Sequence, residues 1–477
     1  MTWNWYRRMR NFVKNARRAE EKTPDARDFA DENDGPPAPV DDSARESASA
    51  AEKIYINLGI DFGTSFTKVG FWDSNEETII VTFEACGKDE EIFSPEEAMI
   101  PSIVSVGDDG TLSMAPASAE FSGVQERYLK IRLAEIEKSG LLTDNEKKTR
   151  ALSSWFLATV VLRAQEWIRQ NEEERLRGHE AAWSANVGVP VEYCDSPAID
   201  TFREALFVAW TWAENDEIPG TLESAISLYE ETVRSFDPDR CEHYKCQPAA
   251  EVVAGARSFL LSGEAKPETY VYFDVGGGTV DGVVFNYQNP GGTQRVDVYS
   301  AKVAALGISE VAKRIGREGA DLFNDDLAPE VCESLEPVGE EVQQFVSDVI
   351  LAANKKIGKG KWIQRQEDIR IFLGGGGGNS KWYRESVHSA YEEHCFGACD
   401  IPRFQEAAVP EPRKGLDMRE MKGRGVFYRF AIAYGLSVPK AEGPKIELAS
   451  RIEPAPDPEP WTPPFGRYED SKDSSSD

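Results

Sequence analysis

The chain has 477 residues, room for about three compact units at roughly 150 residues each, so it is no small stapled module. Its 54 Lys and Arg against 83 Asp and Glu leave a formal charge of −29, which repels nucleic-acid phosphates and anionic membrane and disfavours general nucleic-acid binding. Hydrophobic residues at 40% suffice for a globular core, no apolar run approaches the roughly 18 residues of a membrane span, and seven scattered cysteines point to a soluble protein of the reducing cytoplasm.

Residues 1–18 carry six basic and no acidic side chains, with Trp5, Met9, Phe12, Val13 and Ala16 at helical spacing. This predicts a short basic amphipathic segment. It reads as a weak membrane anchor, as a partner-docking helix, or as an extension with incidental pattern, since an isolated helix of this length is marginal in water. Residues 19–53 hold 11 acidic and four basic residues with few large apolar groups, an acidic disordered linker. The ordered body is expected over 54–440, and 441–477 read as a Pro-, acid- and Ser-rich tail containing Trp461, Phe465 and Tyr468.

The body opens on KIYINLGIDFG (53–63) and two further strand-like runs, a meander whose grammar returns at TYVYFDVGGG (269–278). An internal duplication accounts for this. Helical patterns at about 150–171, 197–213 and 339–357 make each half an α/β domain. Both meanders place a carboxylate at a strand end followed by a glycine turn: Asp61 with Gly63, Thr64 and Ser65, then Asp274 with Gly276, Gly277, Gly278 and Thr279. Glycine lets backbone N–H groups approach an anion, the hydroxyls add donors, and two carboxylates suit a hydrated Mg²⁺ beside a polyphosphate. A single turn of this kind is more often an ordinary hairpin; two in duplicated meanders reverse the odds. A third signal is IRIFLGGGGGNSKW (369–382), an apolar strand ending in five glycines, among them Gly374, Gly375 and Gly376, which permits close approach of a flat ring.

In this order the three segments resemble the phosphate-1, phosphate-2 and adenosine motifs of the superfamily containing actin, the sugar kinases and the ATPase domain of the seventy-kilodalton heat-shock chaperones. The resemblance is closest to the chaperones. Ile100-Pro101-Ser102-Ile103-Val104, Val187-Gly188-Val189-Pro190 and Ala433-Tyr434-Gly435-Leu436 add to it, and it covers about 54–440. It implies a duplicated ribonuclease-H-like fold of two lobes and four subdomains around a nucleotide cleft, with lobe I over 54–247 and lobe II over 248–440. It implies ATP or ADP with Mg²⁺, the metal held through water by Asp61 and Asp274, the phosphates by the turn residues, and Asp281 orienting or deprotonating the attacking water. Lys130 falls where the chaperones place a lysine beside the γ-phosphate; the alternative for it is a solvated helix position. Lys355 and Lys356 fall on the helix that stacks on adenosine.

Gln247-Pro248-Ala249-Ala250 stands where the chaperones carry a glutamate before their Pro-Thr-Ala-Ala. Gln247 therefore orients water without acting as a base, which predicts slow turnover. With 37 residues after Lys440, no peptide-binding domain is expected in this sequence. An insertion is expected at 214–245, offering an extra surface helix to a partner. Cys241, His243 and Cys246, and His394, Cys395 and Cys399, imitate zinc ligands without the paired spacing of common zinc sites. The expectation is a cytoplasmic Mg-ATPase that hydrolyses ATP slowly and gates a protein partner. The rivals are an actin-like filament, a small-molecule kinase and a non-hydrolysing scaffold.

Overall fold

The computed structural model describes residues 52–73, 77–83, 98–114, 122–136, 142–194, 196–319, 322, 327–393, 396–410, 416–417, 426–440 and 443–456. The basic N-terminal segment, all but the end of the acidic linker and the tail beyond 456 lie outside them. One unit comprises residues 1–53 with Gly178–Glu180, in which His179 Nε2 lies 3.8 Å from Glu52. The other, residues 54–177 and 181–477, is a mixed α/β body.

Its strands are β1 (Glu52–Phe62), β2 (Phe66–Asp73), β3 (Thr78–Ile80), β4 (Met99–Pro101), β5 (Val104–Gly107), β6 (Leu112–Ser113), β7 (Gly123–Glu126), β8 (His179–Val189), β9 (Cys246–Ala250), β10 (Thr269–Val275), β11 (Val280–Gln288), β12 (Arg295–Ala304), β13 (Asp368–Gly374), β14 (Arg403–Ala407), β15 (Leu416–Asp417) and β16 (Lys445–Glu447). The helices that matter here are α1 (Leu129–Ala134), α2 (Asp144–Asn171), α3 (Val191–Cys194), α4 (Ala198–Glu214), α5 (Leu222–Thr232), α6 (Glu251–Leu261), α7 (Ile308–Arg314), α8 (Pro329–Ile357), α9 (Lys381–Glu393) and α10 (Ala431–Ser437).

The first sheet runs β15-β3-β2-β1-β8-β9, with β4 on β2, and the second runs β14-β13-β10-β11-β12-β16. Within them β3-β2-β1-β8-β9 and β12-β11-β10-β13-β14 follow one strand order, an antiparallel meander and then two strands beside its first member.

Alternation decides which face each strand presents. Ile56, Leu58, Ile60 and Phe62 of β1 join the core beneath α2 and α4. Asn57, Gly59 and Asp61 alternate with them on the opposite face. There Asn57 Nδ2 donates to Ser437 O at 2.6 Å, and a Cβ on Gly59 would stand 2.2 Å from Ala433 O. So α10 packs directly against β1, and a side chain at 59 would expel it. In the second sheet Val271, Phe273 and Val275 face α8 and α9, whereas Tyr270 and Tyr272 face α6. The inner helices meet at Gly435, whose Cβ would lie 1.9 Å from Ala254 O. The layers are thus helices, first sheet, α10 on α6, second sheet, helices. Asp61 and Asp274 stand on the inward faces, near the strand ends.

The domain division expected from the sequence needs two corrections. β15 pairs with β3, and α10 lies on β1 and β2, so 416–417 and 431–437 return to the first sheet instead of remaining in the second half. The start of the tail also packs: β16 lies parallel to β12, and Ala449 O and Ala455 N bond Lys356 at the end of α8. The expected insertion does carry an extra helix, α5, with Ala225 and Tyr229 buried. Trp155 Nε1 donates to Pro219 O at 2.8 Å, and Thr111 bridges Thr221, seating the insertion on α2 and on the small sheet β6-β5-β7. Among the described residues no helix is long and apolar enough to cross a membrane.

Candidate active site

Each meander brings a charged pair to the same place. Asp61, next to last in β1, stands opposite Lys68 of β2; Asp274, next to last in β10, stands opposite Asp281 of β11. Lys68 Nζ is 2.6 Å from Asp61 Oδ2. The turns between these residues touch. A Cβ on Gly277 would lie 2.0 Å from Ser65 Oγ, and one on Gly278 would lie 2.7 Å from Thr64 Cγ2. Gly63, Thr64, Ser65 and Gly276 to Thr279 are therefore brought together as the sequence predicts. Thr279 spends its hydroxyl proton on Asp281 Oδ2, 3.1 Å away. The second turn is braced from behind, where Gly307, Ile308 and Ser309 donate N–H groups to the carbonyls of Gly278, Gly276 and Gly277.

Lys130 comes from α1, whose preceding residue Tyr128 turns the chain at φ 60°. It is no solvated helix residue: only 5% exposed, it places Nζ 2.5 Å from both carboxylate oxygens of Glu251. Glu251 opens α6 directly after β9, and a Cβ on Gly188 would come within 2.7 Å of its Oε1. Glycine at 188 thus leaves the space that the carboxylate fills.

Four carboxylates (Asp61, Asp274, Asp281, Glu251) and two ammonium groups (Lys68, Lys130) share this buried place, a formal charge of −2 when all are ionised. Burial would neutralise Lys130, but Glu251, Asp281 and Asp61 outweigh it and hold its pKa above the usual lysine value. Burial pushes Glu251 up, with the Lys130 ammonium opposing. Burial and then the Glu251 charge drive Asp281 well above the carboxylate range. Burial, followed by Asp61, raises Asp274 to about 7. Asp274 Oδ1 and Asp281 Oδ1 are buried with no hydrogen-bond partner among the described residues, and so is the hydroxyl of Tyr272. A dry carboxylate oxygen with no donor is costly, and a cation or a water-bound cation relieves it.

Three parts of the predicted site lie elsewhere. Gln247 Nε2 donates to Cys241 O at 2.5 Å and Tyr244 O at 2.7 Å, closing its own loop, so the side chain beside Lys130 is Glu251 instead. Lys355 is exposed, and Lys356 donates to Ala449 O in the returning tail, a carbonyl that also accepts from the Ile452 N–H, so the two lysines do not act as a pair here. Of the glycine run, Gly374 makes room for the Tyr272 hydroxyl, and Gly375, at φ +77°, comes within 2.6 Å of Asp274 Oδ1 at its Cβ position. Gly377 and Gly378 likewise abut Val275 and the Gly374 carbonyl, and only Gly376 faces open space. The run serves the protein's own packing, and one position remains for a ligand to approach. Lys68, Glu251 and Tyr272 are site residues that sequence reasoning missed; the signal for the first was its place seven positions after Asp61, matching Asp281 after Asp274.

Cys241 and Cys246 are buried free thiols, and His394 and Cys395 lie outside the described residues. Among the described residues no group of three or more His, Cys, Asp or Glu side chains is placed to hold a metal ion, so any ion here would rest on fewer carboxylates and water. No protein-family model matches the chain, and no curated protein matches it.

Proposed function

We propose that the chain is a Mg-ATP-dependent phosphohydrolase of the duplicated, actin-like ATPase kind, nearest to the heat-shock chaperones, working in the cytoplasm and gating a protein partner. The observation that carries this reading is the buried cluster of four carboxyl and two lysine side chains where the two glycine turns meet, with orphaned oxygens on Asp274 and Asp281. The shared strand order and the matched pairs Asp61/Lys68 and Asp274/Asp281 support the duplicated fold.

Asp61 and Asp274 would hold magnesium through water, and the ion would supply neutralising charge to the phosphates. The turns at 63–65 and 276–279 bind and orient the phosphate chain with backbone N–H groups. Lys68 and Lys130 offset its charge from the first half. Glu251 receives the proton of the attacking water at its carboxylate as Lys130 turns toward phosphate, and Asp281, steadied by Thr279, orients that water. Because a carboxylate and not an amide stands beside Lys130, the argument for slow turnover that rested on Gln247 no longer applies. The partner is gated through the separation of the two sheets, which meet at this cluster.

The test is calorimetric titration of the full chain with ATP, with and without Mg²⁺, alongside phosphate release by wild type, Asp274→Asn and Glu251→Gln. Mg-dependent binding together with loss of release in both variants is expected. Phosphate release that persists undiminished in both would remove the cluster from the chemistry.

A further inference from the structure

On their outer side the halves that carry this site meet at the short helix α3, where Val191 is buried against the second half and one polar side chain adds a hydrogen bond. Glu192, on the short helix α3 that follows β8, accepts a hydrogen bond at Oε2 from the Val303 N–H of β12, 3.1 Å away. Val303 lies directly opposite Asp281 in the β11–β12 ladder. Four residues further on, the same chain reaches Gly307, whose N–H holds the carbonyl of Gly278 in the second phosphate turn. Glu192 therefore grips a strand that pairs with Asp281 and whose continuation holds that turn. On its own side, α3 follows the end of β8, beside the β9 strand that leads into Glu251.

The junction around this bond is open. A cavity of about 420 Å³ is lined by Glu192 from one half and by Lys302, Ala305, Arg314, Phe345 and Asp348 from the other. Lys302 and Arg314 favour a carboxylate here, although Asp348 and Glu341 already engage them. The neighbouring Val191 is buried in one cluster with Val283 and Val298 and seats the helix, whereas the hydrogen bond itself faces the cavity, so its loss leaves the Val303 N–H to water.

We propose that Glu192 is a positioning residue: by fixing Val303 it sets Asp281 and the second phosphate turn against Lys130 and Glu251, and its release permits the halves to part. This rests on the reading of the cluster as a nucleotide site. It is not a catalytic group, since it reaches the cluster only through β12.

The experiment uses the full chain as wild type, Glu192→Ala and Glu192→Gln, the last keeping an oxygen that accepts from the Val303 N–H. Amide hydrogen exchange without nucleotide is compared first, then dissociation of a fluorescent ADP with Mg²⁺. In Glu192→Ala, faster exchange at Val303 should spread to the segments around Asp281 and Gly278. ADP release should quicken about tenfold, with kcat falling more than KM rises. Glu192→Gln should stay within about twofold of wild type, the size expected when an acceptor is retained. Faster exchange confined to Val303, or equal effects in Ala and Gln, would overturn the proposal. Exchange that spreads in Glu192→Ala while the wild-type chain binds no ADP would instead leave the latch standing and remove the nucleotide reading.

Discussion

Glu251 reaches Lys130 across 121 positions of sequence and holds its ammonium with both carboxylate oxygens at 2.5 Å. Both side chains are nearly inaccessible, at 6% and 3%. Removing one partner from such a pair strands a buried charge. Glu251→Ala should therefore lower unfolding free energy by about 3–5 kcal/mol, read from urea titration. Lys130→Met combined with Glu251→Leu should recover most of that loss while phosphate release stays absent. A double variant as unstable as the single one would show that the pair contributes by packing and not by charge.

The protonation of Asp274 ties stability to pH. Its folded pKa is raised to about 7 from an ordinary 3.8, so the native state keeps a proton that the unfolded chain gives up. The stabilising effect is complete below the unfolded value and is lost as pH climbs to 7. Without nucleotide or metal, the wild type should lose on the order of 2–4 kcal/mol of stability between pH 4 and pH 8 from this group. Asp274→Asn should flatten that slope and melt higher at pH 8. A steeper slope in the variant would reverse the assignment. Added Mg²⁺ with ADP should stabilise wild type at pH 8 and leave Asp274→Asn unaffected.

The glycine run offers a graded series. Gly376→Ala meets nothing within 4 Å and should melt within about 1 °C of wild type, a change of a few tenths of a kcal/mol at most. Gly375→Ala combines a left-handed φ of 77° with a Cβ 2.5 Å from Val275 O and should cost about 2 kcal/mol or more. If a ligand lies against Gly376, Gly376→Trp should block ATP binding in a chain that folds normally.

Strand runs, helices and the glycine turns were legible because their signals are local. Ile56, Leu58 and Ile60 alternate, and the α2 pattern is closed by the Thr143 and Glu146 capping box. The start of α8 was hidden because Pro337 sits inside it, and the periodic pattern was taken only from beyond that residue. Glu251 was missed for another reason. The Gln-Pro-Ala-Ala string drew attention to Gln247, whereas the site needs the residue at which β9 hands over to α6, and that point is set by pairing with β8. Lys356 was misplaced because its acceptor, Ala449 O, lies in the returning tail, a partner that no local pattern announces.

That tail supplies a further prediction. Lys356→Met removes the ammonium that meets Ala449 O and leaves the cluster residues untouched. Exchange of amides in 445–455 should rise, whereas affinity for Mg-ATP should stay within about twofold, as for a substitution outside the site. A large loss of ATP affinity would return Lys356 to the role first read from the sequence.

Tyr272 has a mechanical consequence. A Cβ on Gly255 would meet its ring at 2.8 Å, and one on Gly374 would meet its hydroxyl at 2.0 Å. One aromatic side chain is thus clamped between the helix that begins at Glu251 and the strand that ends at the glycine loop. It works as a feeler gauge: the ring sets how far the helix that begins at Glu251 stands from the glycine loop. A Leu there would narrow that spacing, and an alanine at 255 or 374 would widen it, so the dimension of the cavity is written into three residues, none of which need touch what it holds.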